Sequence, residues 1–367
     1  MLNQIKELAK RLLAIVWIRR TWQALARAAA EVFGAHRLLS IPWSLLTLAT
    51  FNREQFAVLR GRREYYRNLS RQRRSRTELR RNIHRLEKGI SMQPRRPVFA
   101  LDYLIETIEF YEAAVAGFTP AAADSGPCDG QAGGELLWAH NVLADYFSSV
   151  DAEQPLVAQA HTRFRATFGR FQPDRLDHKP YARSRSPDCP VGWDDLMALS
   201  MRRRSVRWFK PDPVPRELID QALLVARQGP SACNRLPYQF RIFDDPDLVR
   251  RVAAIPFGAA GYSHQIPTVA VLVGRLDHYF SPRDRHVIYV DGALAAMGFL
   301  YALETLGLSS SVINWPDFEP LEAKMQATLG LDYHERVIML IAIGHADPDG
   351  LIPYSQKKPL ELLRRYN

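Results

Sequence analysis

Arg202, Arg203, Arg204 and Arg207 surround Ser205 within the stretch MRRRSVRWF, residues 201–209, which closes on the aromatic pair Trp208 and Phe209. Guanidinium forks beside a hydroxyl suit a phosphate, because planar bidentate donors match its oxygens and arginine keeps its charge when desolvated. A basic helix C-terminus set against its own dipole accounts for most of the same arginines without any ligand. This stretch alone leaves both readings open. A second stretch, GPSACNRLPYQF at residues 229–240, places small residues and free backbone amides in a loop between a helix end and a strand. Such a loop suits the approach of a flat ring system, whose heteroatoms its amides can hydrogen-bond.

Those residues have to be held by the elements around them. Residues 215–228 read as a helix, with Pro215 near its first turn, Ile219, Ala222, Leu223 and Ala226 on one face, and Gly229 where a left-handed C-terminal cap would sit. Strands are expected over 239–243, 268–274, 310–314 and 336–344. Between the second and third, residues 286–306 read as a long helix apolar nearly all round, with Gly292, Ala293, Ala295, Ala296 and Gly298 as small surfaces, hence buried or in a subunit interface. The second half is therefore expected to be α+β, with helices flanking a mostly antiparallel or mixed sheet. The first half reads as helical, with periodic stretches at 99–115 and 135–150 separated by the loop GFTPAAADSGPCDGQAGG. The stretch QPDRLDHKPYARSRSPDCP at 172–190 carries four prolines and few apolar residues, so the boundary is expected there, giving a helical domain over 1–190 and a second domain over 191–367.

The chain's net charge of +10 is local. Residues 60–96 hold 14 Lys/Arg against the acids Glu64, Glu78 and Glu87, a net +11 that leaves the other 330 residues at −1. The run reads first as a solvated helical surface. Phospholipid headgroups are a second reader, and nucleic acid is disfavoured because only Tyr65 and Tyr66 interleave the charges. Leu2, Ile5, Leu8, Leu12, Leu13 and Val16 recur at helical spacing among basic residues, which makes residues 1–96 a candidate peripheral membrane contact as well as an ordinary packing stripe. The uncharged stretch 38–51 contains Pro42 and is too short to span a bilayer. No signal-peptide pattern is read at the N-terminus. Cys128, Cys189 and Cys233 are too few and too scattered for a disulfide framework or a structural zinc, and no metal site is read; a reducing cytoplasmic setting fits, with any membrane contact on the inner face.

Taken together, the two stretches resemble the nitroreductase family of flavoproteins. Its R-[RH]-S-x-[RK]-x-[FY] motif is matched by Arg203, Arg204, Ser205, Arg207 and Phe209, and its P-S-x-x-N-x-x-P-[WY]-x-F motif by Pro230, Ser231, Asn234, Pro237, Tyr238 and Phe240. A buried central helix, the strand and loop GLSSSVINW after it, and KKPLE at 357–361 follow in the family's order. The resemblance implies a nitroreductase-like mixed sheet and FMN as cofactor. Arg203, Arg204, Ser205, Arg207 and Lys357 or Lys358 would hold the phosphate and ribityl chain. Pro230, Ser231 and Asn234 would contact the isoalloxazine, and Ser309, Ser310, Ser311, Val312 and Ile313 would cover its other side or edge. It also implies a homodimer with FMN at the subunit interface, NAD(P)H as donor, and ping-pong transfer of two electrons to a small-molecule acceptor. A non-catalytic flavin-binding or flavin-free dimeric scaffold, acting at a membrane surface or with a partner, is the alternative. The stretch RRNIHRLEKGI at 80–90 resembles extensions of nitroreductase-like proteins associated with bacterial polysaccharide biosynthesis.

Several further features are ambiguous. The link at 275–285 is short beside the lid insertions of many family members, which leaves the substrate open. In NWPD, Asn314, Trp315 and Asp317 read either as polar ligand contacts or as a turn capped by Asp317. Asp245 reads as the cap of a helix over 246–254, and Cys233 as a small residue in a tight loop rather than a redox thiol. His84, Arg85, Glu87 and Lys88 read as one exposed helical face, and His140 as a satisfied core group.

Overall fold

The computed structural model describes residues 16–35, 38, 42, 48–71, 77–118 and 131–367. The apolar stripe at 2–16, most of 38–51, most of the loop at 117–134 and Cys128 lie outside the described residues. Two compact units are present, Met1–Phe56 and Ala57–Asn367. The first contains helix α1 (Val16–Gly34), on which Leu25 and Val32 are exposed. Helix α2 (Leu48–Arg71) contributes its residues from Ala57 onward to the second.

Helices α3 (Thr77–Ile90), α4 (Leu104–Ala116), α5 (Gln131–Ser149) and α6 (Pro155–Ala166) pack around Leu79, Ile83, Leu86, Ile108, Tyr111, Leu143, Tyr146 and Phe164. The helix expected from residue 99 begins at Leu104, because Ala100 takes φ 68° and Tyr103, the N-cap, φ −138°, outside helical space. His140 is buried among Phe164, Phe168 and Phe171, and its Nδ1 lies 2.8 Å from the Tyr111 hydroxyl. Burial lowers its pKa to about 4. Much of the basic run is used inside the fold. Arg67 pairs with Glu64 at 3.0 Å, Arg81 with Glu78 at 2.8 Å and Arg85 with Asp102 at 3.3 Å, while Tyr65 is buried and unavailable for stacking. The face of His84 and Glu87 is less exposed than its sequence implies: the two pair at 3.0 Å, and Trp138 of α5 donates to Glu87 at 2.8 Å.

The helical core ends at Phe171, and α7 (Trp193–Arg202) follows a stretch whose one helical turn is Arg183–Arg185. Strands β1 (Tyr238–Phe243), β2 (Thr268–Arg275), β3 (Ser309–Asn314) and β4 (Glu335–Gly344) form one sheet in the order β1-β2-β4-β3. All three pairings are antiparallel; the parallel element is a bridge between Ser205 and Ser310 at the β3 edge. β2 is rich in β-branched residues and alternates sides as a pleated strand must. Val269, Val271 and Val273 face a core closed by α9 (Pro246–Ala253) and α11 (Glu319–Leu329). Ala270 and Leu272 face α8 (Arg216–Ala226) and α10 (Val287–Thr305). The register shift after Leu272 leaves Ile338 of β4 as an extra residue leaning on α10, where a Cβ at Gly292 would lie 2.5 Å from its Cδ1. The α10 region is long and apolar enough to cross a membrane by length and composition, yet half of its most apolar window is buried against the protein.

Two local expectations need correction. Gly229 is not a left-handed cap: α8 ends at Ala226 with Arg227 in helical conformation, and among the described residues the positive-φ glycines are Gly307 and Gly330. Gly229 is needed instead for close approach, since a Cβ there would stand 3.3 Å from the Ala295 backbone of α10. Asp317 does not cap α11, whose N-cap is Phe318; its Oδ1 accepts from the buried Arg336 at 2.7 Å, and Trp315 Nε1 donates to Glu322. Asp245 does cap α9, accepting from Asp247 and Leu248 at 3.1 and 2.9 Å.

Candidate functional site

Helix α7 ends at Arg202, whose exposed guanidinium pairs with Glu304 of α10 at 3.0 Å. From Arg203 the chain is extended, and it runs beside β3, where Val206 N donates to Ser310 O at 3.0 Å. The segment is fixed farther on by Gln265, a residue the sequence did not single out: its Oε1 accepts from Phe209 N at 3.0 Å and its Nε2 donates to Arg207 O. Val206 and Phe209 are buried and anchor the segment, leaving Arg203, Arg204, Ser205 and Arg207 half-buried beside the sheet edge. The Arg207 guanidinium lies 5.9 Å from the Tyr262 ring, and the Tyr262 hydroxyl reaches Ser311 Oγ at 3.5 Å.

Arg203 and Arg207 have no carboxylate within ion-pair distance among the described residues. Arg204 is engaged, donating to the Pro353 carbonyl at 2.8 Å and to Tyr354 O, and so ties the C-terminal tail that carries Lys357 and Lys358 to this segment. Both lysines are exposed, as is the whole tail from Leu351. Within β3, Ser310, Ser311 and Ile313 are buried, Ile313 in the core, so the β3 side chains open to a ligand are Ser309, Val312 and Asn314.

The loop at 230–236 is a different environment. Pro230 is exposed and Ser231 and Asn234 are half-buried. Ser231 serves the loop itself: its carbonyl accepts from Asn234 N at 3.0 Å and its hydroxyl from Leu236 N at 3.1 Å. Cys233, Asn234 and Leu236 adopt φ of 55°, 52° and 50°, the left-handed region that non-glycine residues enter at a cost. Asp291, on the α10 face turned to the loop and 3% exposed, accepts from Ala232 N at 2.9 Å and from the Tyr279 hydroxyl at 3.4 Å. Burial raises its pKa against the opposing pull of the Ala232 amide, the Tyr279 hydroxyl and Arg235.

The structure therefore brings 203–207, 309–313 and the C-terminal tail together, and sets the 230–236 loop apart. Among the described residues no hydrogen bond or ion pair joins the loop to the arginine segment. Along α10 the loop anchors at Asp291 and the arginine segment at Glu304, roughly 20 Å apart at the helical rise of about 1.5 Å per residue.

Residues 201–263 and 259–345 match the model of the nitroreductase family. The C-terminal half of this chain is a nitroreductase-family domain. An NADH dehydrogenase of Thermus thermophilus is 29% identical over 198 residues, covering 46% of this chain and 93% of the relative. Human iodotyrosine deiodinase 1 is 20% identical over 218 residues, 51% of this chain and 74% of the relative. Among solved structures, an FMN-dependent nitroreductase from Clostridium difficile aligns with a TM-score of 0.41 at 19% identity, covering 47% of this chain and 99% of that one. The nitroreductase-family domain thus carries the arginine segment, the loop, α10 and β3 within the matched residues; the helices before it lie outside the match.

Proposed function

We propose that the protein is an FMN-dependent oxidoreductase that exchanges two electrons, in a ping-pong cycle, between reduced nicotinamide and a small-molecule acceptor. The observation that carries this reading is the pair Arg203 and Arg207, half-buried and, among the described residues, with no carboxylate within ion-pair distance, on a nitroreductase-family domain. Unpaired guanidinium groups held beside a sheet edge are costly unless an anion meets them, and a phosphate dianion matches their forks. FMN, when bound, supplies a ring that accepts and returns two electrons. This chain's residues bind and orient it: Arg203, Arg207 and Ser205 at the phosphate, Lys357 or Lys358 brought in by the Arg204-anchored tail, and Ser309 and Val312 alongside. Pro230, Ser231 and Asn234 meet the ring system.

The separation of the two segments along α10 supports a homodimer in which one protomer's loop faces its partner's arginine segment. The surface for such pairing is exposed: Val290, Leu294 and Met297 follow one another at helical spacing on α10, and Trp193 and Met201 stand out from α7. The test is direct. The purified protein, supplemented with FMN and desalted, should be yellow and should run as a dimer by light scattering; NADH or NADPH added without oxygen should bleach it. A colourless protein after FMN loading overturns the reading, and bound flavin that neither donor bleaches overturns the nicotinamide assignment.

A further inference from the structure

The loop at 230–236 is held from a direction that the family match does not include. From α10 it receives Asp291. From the helical region it receives α3: Arg80 Nε donates to Asn234 O at 3.0 Å, and the buried Arg235 guanidinium lies 3.9 Å from Glu78 and 5.0 Å from the Tyr279 ring. Arg80 is itself pinned, with Glu135 at 3.4 Å and the Trp138 ring at 5.3 Å on α5, and Glu78 also takes Arg81 at 2.8 Å. The neighbouring helix α2 covers the short link between β2 and α10. A Cβ at Gly61 would stand 2.6 Å from Leu276 Cβ, Arg62 Nε donates to Phe280 O at 2.9 Å, and the Tyr65 and Phe280 rings are 6.1 Å apart.

We infer that α2 and α3 form a fixed wall of the flavin pocket, with Arg80 and Glu78 as positioning residues that act on the ring-facing loop through Asn234 and Arg235. This rests on the proposed flavin site. Three consecutive or near-consecutive left-handed residues do not persist unless their surroundings hold them, and α3 supplies the contact on the Asn234 carbonyl, bonded to the same Cα that carries the Asn234 side chain. Nor does the loop have a partner for the Arg235 charge other than Glu78 within ion-pair distance among the described residues. Relaxing α3 therefore leaves the phosphate-side residues intact while blurring the geometry of the ring side.

The experiment is an FMN titration of the full-length protein, read by flavin fluorescence and by the absorption spectrum of the bound form, for the parent, Arg80→Ala, Arg80→Lys, Glu78→Gln and Arg85→Ala. Arg80→Ala removes one charge-assisted hydrogen bond from the loop and should raise the FMN Kd about tenfold and shift the bound spectrum. Arg80→Lys, which keeps the charge and a donor, should recover part of both. Glu78→Gln, which keeps the side chain's shape and removes its charge, should weaken FMN in the same direction. Arg85→Ala is the control: Arg85 lies on the same helix but 3.5 Å over Tyr103, inside the helical region, and should leave Kd unchanged. Parent-like binding and spectrum in both Arg80→Ala and Glu78→Gln overturn the inference, as does equal weakening by Arg85→Ala, which would mean that helix stability alone is read. A parent protein that binds no FMN overturns the flavin reading itself, a result distinct from either.

Discussion

The two parts of the candidate site are built on opposite principles. Arg203 and Arg207 stand beside the β3 edge with no carboxylate within ion-pair distance among the described residues, Glu304 acting on Arg203 only from farther away, while the 230–236 loop is tied to Asp291 on one side and to Arg80 and Glu78 on the other. Under the proposed function the first is an open electrostatic receptor whose energy is realised when an anion arrives. The second has its backbone anchored on both sides, at Ala232 by Asp291 and at Asn234 by Arg80, so its contribution is geometry. A ligand with a mobile anionic arm and a rigid ring requires that division: charge tolerates some slack, whereas hydrogen bonds to a ring's edge do not.

The sharpest way to break this contrast is to remove charge from the open part. Arg203→Ala with Arg207→Ala should weaken FMN by about a thousandfold, since each hydrogen bond to a charged group is worth about 1.5–3 kcal/mol. The melting temperature of the apo-protein should hardly move, because neither guanidinium has an ion-pair partner to lose. Arg204→Ala should cost less, about tenfold, because that guanidinium is occupied by the Pro353 and Tyr354 carbonyls and acts through the tail. Isothermal titration alongside thermal melts separates the two effects. Retained FMN in the double variant would remove the phosphate assignment.

Truncation on the loop side should reverse the pattern. Glu78→Ala strips the buried Arg235 of its counter-charge; breaking a buried pair costs about 3–5 kcal/mol, and the 3.9 Å separation puts this one near the lower end. Chemical denaturation should show that loss without FMN present. If Glu78→Ala instead lowers only FMN affinity, the loop is not structurally over-determined and the contrast fails.

The arginine segment was legible in sequence because it is local: RRSVR is contiguous, and the fold keeps it as one extended run beside β3. The strands at 239–243, 268–274, 310–314 and 336–344 and the helix at 286–306 were legible to within a residue or two, because β-branched runs and apolar periodicity are strong signals there. What held the loop was not. Arg80 and Glu78 lie about 150 residues upstream of their partners, in a run whose charge reads as surface, and only tertiary folding brings them to residues 234 and 235. Asp291 was hidden in a helix read as uniformly apolar; a single acid amid VIYVDGAL was the available signal. Gly229 was misread for the same reason, because a C-terminal cap and a close helix crossing call for the same residue.

A smaller effect separates the helical region from the sheet. His140 is buried and neutral, its pKa lowered to about 4 from the ordinary 6.5 by loss of solvation. An unfolded chain protonates this imidazole below about pH 6.5, but the folded one does not until about pH 4. Stability is therefore unaffected by this group above pH 6.5 and falls as pH drops through that window, the loss reaching about 2–3 kcal/mol near pH 4. His140→Phe, which fills the aromatic cluster without titrating, should flatten the acid limb of the stability curve between pH 6.5 and 4. An unchanged acid limb would assign it to the carboxylates instead.

The smallest change tests whether the loop's geometry is held as tightly as its contacts imply. Gly229 joins α8 to the loop and meets the Ala295 backbone of α10, where an added Cβ would lie 3.3 Å from both Cα and N. Two terms oppose each other in Gly229→Ala. The unfolded chain loses freedom, which favours folding by about 0.4–1 kcal/mol. Against it, backbone atoms of α10 cannot turn aside as a side chain would, and overpacking costs about 1–3 kcal/mol. The net should be a loss of about 1 kcal/mol, read by denaturant melts. The displaced methyl should also push the start of the loop off α10, so FMN affinity should fall a few-fold even though no ligand-facing atom has changed. A variant that loses stability but binds FMN as the parent does would show that the anchors at Asp291 and Arg80 fix the loop independently of where α8 delivers it.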